Sequence, residues 1–130
     1  MEYLNTLPFS EGIKRTQLES ELNVYRVTPS MCARLFDEGK VDISLCPVGA
    51  LHDLPPHEIR GRYCIGAEGE VGTVVLLSKV PLSEITSVRL DDHSRTSNLL
   101  LQILAARLWD KEWTYYLDKA ADLPQSCLMI

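Results

Sequence analysis

The sequence predicts an α/β protein, and three observations carry that prediction. Residues 21–27 (ELNVYRV) favour β structure, residues 28–39 carry helix signals, and residues 41–48 (VDISLCPV) are largely apolar. Strand, helix, strand at this spacing makes one βαβ unit. Further on, residues 88–90 restart as a strand, residues 96–109 have a helical apolar pattern, and residues 113–116 favour a strand again. The chain has 130 residues, enough for an ordinary domain with a core.

Each element has its own local signals. In the first helix Thr28 can cap, Pro29 suits the first turn, and Met31, Cys32, Leu35 and Phe36 form an apolar stripe. Gly39 stands where a left-handed residue ends a helix. Leu54-Pro55-Pro56 marks a loop, and residues 62–67 and 71–78 are two further strand candidates. Val80-Pro81 interrupts the second of these, and residues 82–85 suit a short helical turn. In the helix at 96–109 the positions Leu99, Leu100, Ile103, Leu104 and Leu108 are expected to form the buried face. A final apolar run, residues 127–130, is strand-like and ends without a turn or cap. That ending suggests a chain cut inside its sheet, with an edge strand exposed.

Composition narrows the function classes. Thirteen Lys plus Arg against 18 Asp plus Glu give a formal charge of −5, and no basic stripe is present. A nucleic-acid partner is therefore not expected. A small anion is still allowed, because a pocket can be locally positive on an acidic protein. The four cysteines form no C-x-x-C pair and lie in apolar contexts, which predicts buried free thiols in a reducing compartment. No stretch approaches a membrane span and the N-terminus lacks signal-peptide character, so a cytoplasmic location is expected.

Three segments offer chemistry. Ser94-Arg95-Thr96-Ser97 lies between a strand and a helix, where free N–H groups and the helix dipole favour an anion. Three hydroxyls and a guanidinium suit a carboxylate or phosphate there, although Ser94 also fits a plain helix cap with Arg95 solvated. Asn5 supplies two donors and an acceptor at the end of what would be a first strand, the usual ligand edge of an open α/β sheet. Asn-Thr before a proline is equally a turn signal. In Gly66–Thr73 three glycines permit close backbone approach and Thr73 adds a hydroxyl, but a hairpin turn explains the same residues. No Walker or dinucleotide fingerprint occurs. His52 and His57 flank the Pro-rich loop, and His93 adjoins the 94–97 turn. No catalytic triad can be assembled from these residues.

Taken in order, these stretches resemble the chorismate dehydratase family of the futalosine route to menaquinone. The matching stretches are Tyr3-Leu-Asn-Thr-Leu-Pro-Phe9, then Pro29-Ser-Met-Cys-Ala-Arg-Leu35 and Gly39-Lys-Val-Asp-Ile43. Pro47-Val48, Tyr63-Cys-Ile-Gly66, Gly69-Glu-Val71 with Thr73, and Leu90-Asp91 before Ser94-Arg-Thr-Ser97 complete the set. The resemblance implies a type II periplasmic-binding-protein-like fold with mixed sheets and a ligand cleft between two lobes. Residues 1–80 would form lobe one without its return strands, and residues 81–130 the first part of an incomplete lobe two. It implies a hydro-lyase that converts chorismate to 3-[(1-carboxyvinyl)oxy]benzoate without metal or organic cofactor. Asn5 would be both the catalytic contact and a substrate-binding residue, with Thr73, Ser94, Arg95, Thr96 and Ser97 also binding substrate. A sister family acting later in the pathway has a different opening motif. The competing reading is a binding module of the same fold that holds an aromatic carboxylate unchanged. A third has the polypeptide persist as an inactive piece that pairs with a second copy as a homodimer.

Overall fold

The computed structural model describes residues 4–117 and the backbone of the strand at 127–129. Tyr3 of the opening motif, Ile130 of the final run and the turn before that run lie outside the described residues.

Among the described residues the fold is a small α/β arrangement of three α-helices and a four-stranded mixed sheet. The helices are α1 (Leu7–Arg15), α2 (Pro29–Asp37) and α3 (Arg95–Arg107). The strands are β1 (Leu76–Leu77), β2 (Ser87–Arg89), β3 (Thr114–Tyr116) and β4 (Cys127–Met129). Their order across the sheet is β1-β4-β2-β3. β2 runs parallel to both β3 and β4, while β1 pairs antiparallel with β4.

The βαβ unit that forms is β2–α3–β3, in the second half of the chain. The one expected across residues 21–48 does not. Residues 22–28 form no strand, residues 41–47 run irregularly into a 3-10 segment at Val48–Asp53, and residues 62–67 are irregular and exposed. The candidate strand at 71–78 shrinks to β1. The physical reason is shared: a strand exists through its ladder, and among the described residues nothing lies alongside these runs to pair with them. Leu22, Val24, Ile43 and Tyr63 accordingly stay exposed.

Local signals at helix ends fare better. Gly39 adopts φ +63°, and its N–H donates to the Phe36 carbonyl while Lys40 N–H donates to Leu35 O. This is the paired-bond termination that a left-handed glycine permits. Thr28 precedes α2 but does not cap it; its hydroxyl instead pairs with Ser30 Oγ at 3.3 Å. Within α2 Ala33 is the residue that is fully buried, and Met31 of the expected stripe is exposed. Residues 4–15 depart most from expectation: a 3-10 turn, Leu4–Thr6, leads into α1 instead of closing a strand. Pro8 in the first helical turn and Lys14-Arg15 in the last are the compatible signals that make it a helix.

The core lies between α3 and the sheet, built from Ile85, Val88, Leu101, Ala105 and Trp113. Val74, Leu76, Val80, Leu90, Trp109 and Tyr115 pack around it. α3 therefore turns Ser97, Leu101 and Ala105 inward. The expected face is reversed for Leu100, Ile103 and Leu108, which are exposed. Three consecutive leucines followed by Ile103 and Leu104 make the helix apolar nearly all round, so periodicity alone could not choose a side. The thiols differ too. Cys32 and Cys46 are free and half-buried, whereas Cys64 is free but exposed. Burial pushes the Cys32 thiol upward, away from reactivity.

The 3-10 segment Val48–Asp53 seats directly on α3. Gly49 is buried, its N–H donates to Thr96 Oγ1 at 3.1 Å, and neighbouring Ala50 is fully buried. A Cβ at position 49 would lie 2.7 Å from Thr96 Cα and 3.0 Å from both Thr96 N and Arg95 O. Those atoms are helix backbone and cannot swing aside. Gly49→Ala should therefore destabilise the protein by about 1–3 kcal/mol, as overpacking does. Urea unfolding followed by circular dichroism measures it, and an unchanged midpoint would show that the seam yields freely.

Candidate functional site

The turn that enters α3 is held by a small polar frame. Asn98, on the first full turn of the helix, reaches back to Asp91 with both ends of its amide. Asp91 N–H donates to Asn98 Oδ1 at 3.1 Å, and Asn98 Nδ2 donates to Asp91 O at 2.6 Å. The Asp91 carboxylate in turn accepts the His93 N–H at 3.0 Å, an Asx-type turn. Ser94 N–H closes on Asp91 O at 3.4 Å. The loop between β2 and α3 is thus fixed by side chains whose partners are backbone groups.

Ser94 sits at the cap position, but its hydroxyl does not cap. It donates to Ser97 Oγ at 2.8 Å, and among the described residues no side-chain cap bonds the first turn. The helix start keeps its positive dipole end and the N–H groups of its first turn. Thr96 is committed elsewhere, through its hydroxyl to Gly49, and Ser97 is 7% exposed, facing the core side. Arg95 projects into solvent. Two carboxylates, Asp91 and Asp92, precede the turn, and Asp92 Oδ1 lies 3.4 Å from His93 Nε2. The field at the helix start is mixed: a dipole and one guanidinium against two acids.

The structure therefore brings Ser94, Thr96 and Ser97 together with Gly49, Asp91 and Asn98. Asn5 is exposed on its 3-10 turn, and its side chain makes no hydrogen bond among the described residues. Thr73 is exposed on the turn closed by Val74 N–H to Val71 O at 3.1 Å. No described hydrogen bond or ion pair joins either to the Ser94 turn. Sequence reasoning missed Asn98 and Gly49. An Asn inside a helix is poorly favoured there, and that local misfit was the available signal for Asn98. Gly49 had none, because the need for glycine comes from a helix backbone 47 residues away in sequence.

Next to the turn a cleft of about 210 Å³ opens between Val48, Gly49, Thr96, Leu99, Leu100 and Ile103, and it is predominantly apolar. Among the described residues no cluster of three or more His, Cys, Asp or Glu is assembled, and no helix is long and apolar enough to cross a membrane.

Fold and site together define a small α/β protein whose helix entrance is built of hydroxyls, a guanidinium and unclaimed first-turn N–H groups. A family model described as menaquinone biosynthesis matches residues 1–129, and the chain belongs to that family. The family resemblance carried by the ordered motifs is borne out. No solved structure matches the chain.

Asn98→Ala should release the Asp91 loop at a cost of about 1–3 kcal/mol, the range for leaving buried polar partners unmet. Native-state hydrogen exchange reads it at the Asp91 amide, which should exchange faster than in the parent while the β2–β3 amides keep pace with global stability. Equal protection at Asp91 in both proteins would remove Asn98 from the frame.

Proposed function

We propose that this chain belongs to a chorismate dehydratase with a two-lobed type II periplasmic-binding-protein-like fold. On this reading residues 1–80 contribute to one lobe and residues 81–130 to the other. The observation that carries it is the co-occurrence, in one menaquinone-biosynthesis chain, of the Leu4-Asn5-Thr6-Leu7-Pro8-Phe9 opening with the Ser94-Arg95-Thr96-Ser97 helix entrance.

Chorismate brings two carboxylates and a ring hydroxyl. One carboxylate fits the start of α3, where first-turn N–H groups can donate and Arg95 neutralises charge, with Ser94 and Ser97 shaping the turn beneath it. Asn5 positions the ring hydroxyl or the second carboxylate, and Thr73 adds a hydroxyl donor. The reaction removes the proton from the ring carbon that bears the enolpyruvyl oxygen. Hydroxide leaves from the neighbouring carbon, the two departing fragments make one water, and the ring becomes aromatic. A protein base is not required, because a carboxylate of the substrate can accept the proton while the protein orients and desolvates it. Aromatisation supplies the driving force, so orientation is the main contribution asked of the protein.

Incubating the protein with chorismate and separating the products by chromatography with mass detection tests this. A product lighter than chorismate by one water is expected. Asn5→Ala should lower kcat/KM by about a hundredfold or more, the scale of losing one positioned polar contact in general acid–base chemistry. Arg95→Ala should raise KM with a smaller change in kcat, as for a residue that binds ground state and transition state alike. Chorismate binding without product would favour the non-catalytic binding module. Near-normal turnover of the Asn5 variant would remove that residue from the reaction.

A further inference from the structure

Asn98 lies one residue beyond the Ser94–Ser97 segment and is half-buried on α3. Its carboxamide holds both backbone polar atoms of Asp91, accepting the N–H at 3.1 Å and donating to the carbonyl at 2.6 Å. That carbonyl also takes the Ser94 N–H at 3.4 Å, so its partial negative charge is met by donors within the loop. The Asp91 carboxylate is committed separately, accepting the His93 N–H at 3.0 Å. Helix interiors disfavour Asn, so its presence here is compensated through these two bonds. A carboxylate just ahead of a helix readily turns onto the first-turn N–H groups, with the dipole in its favour. An Asp91 freed from its clamp therefore competes with an arriving anion for the same donors.

We propose that Asn98 is a positioning residue for the reaction proposed above, keeping the Asp91 carboxylate off the start of α3 so that a substrate carboxylate meets its N–H groups unopposed. The inference rests on that reading of the Ser94–Ser97 turn. Asn98 acts through Asp91, so its effect falls on binding of the anion rather than on the chemical step. The role suits Asn in particular. A short planar amide presents an acceptor and a donor together, as the N–H and carbonyl of one residue require.

Steady-state kinetics of the full chain with chorismate read the effect, with circular dichroism confirming that each variant is folded. Asn98→Ala should raise KM about tenfold with kcat changed less than about twofold, the pattern of lost uniform binding between coupled neighbours. In an Asp91→Ala background the clamp to the backbone survives but no carboxylate can be released. There the same change should raise KM by less than about twofold. Ile85→Val, a core truncation that lowers stability, should leave KM at the parent value. Where Asn98→Ala does not stay folded, Asn98→Gln carries the same test, because it moves the amide out by one methylene. Where chorismate binds without turnover, the calorimetric Kd takes the place of KM. A parent chain that neither binds nor converts chorismate overturns the proposed reaction and this inference with it. A parent that binds or converts it, with an Asn98 variant of unchanged affinity, overturns the inference alone. An equal loss of affinity in the Asp91→Ala background, or in Ile85→Val, also overturns it.

Discussion

The Gly49–Thr96 seam is the constraint on which the arrangement of this protein depends. One N–H donates to one hydroxyl at 3.1 Å, and that bond forms only because no side chain separates the two backbones. Everything before residue 54 meets α3 mainly through this 3-10 segment. α2 is tied to it in turn: Ser44 Oγ donates to Cys32 O at 3.0 Å, holding the chain against the helix as it approaches Gly49. The first half of the chain is therefore anchored by a chain of individually modest polar contacts rather than by a shared sheet. The second half has both a sheet and an apolar core, and the seam transfers that order to the first.

The same contact shapes the start of α3. Committing Thr96 to Gly49 and Ser94 to Ser97 uses hydroxyls for structure, yet leaves the first-turn N–H groups without a side-chain cap. The Asn98–Asp91 clamp then supplies the rigidity that a capping serine would otherwise give. The same few residues take two positions: Thr96, Ser97 and Asn98 fix the turn, while Arg95 and the helix start remain turned to solvent.

What could be read from the residues follows a physical pattern. Elements specified by nearby residues were legible: α2 with its Gly39 terminus, the β2–α3–β3 succession, and the Ser94 turn. Elements that depend on partners were not. Residues 21–27 and 41–48 have the composition of strands, but a ladder needs a neighbour that composition cannot guarantee. The inward face of α3 was misassigned because Leu99, Leu100 and Leu101 present equal apolarity to every direction, and only the position of Val88 and Trp113 selects Leu101. At the site, hydroxyl-rich Ser94–Ser97 was visible as a cluster, whereas Gly49 and Asn98 matter through contacts that sequence order hides.

Trp113 has a spectroscopic consequence. It is 7% exposed in the core, its ring centre is 5.7 Å from that of Trp109, and its indole N–H has no hydrogen-bond partner among the described residues. An indole in apolar surroundings without a hydrogen-bonded N–H emits at short wavelength, and two indoles this close couple in their ultraviolet transitions. Because these are the chain's two tryptophans, its indole fluorescence and the indole bands of its near-ultraviolet dichroism report on the packing of α3 against the sheet. The protein thus contains its own optical gauge for whether the α3 core is assembled.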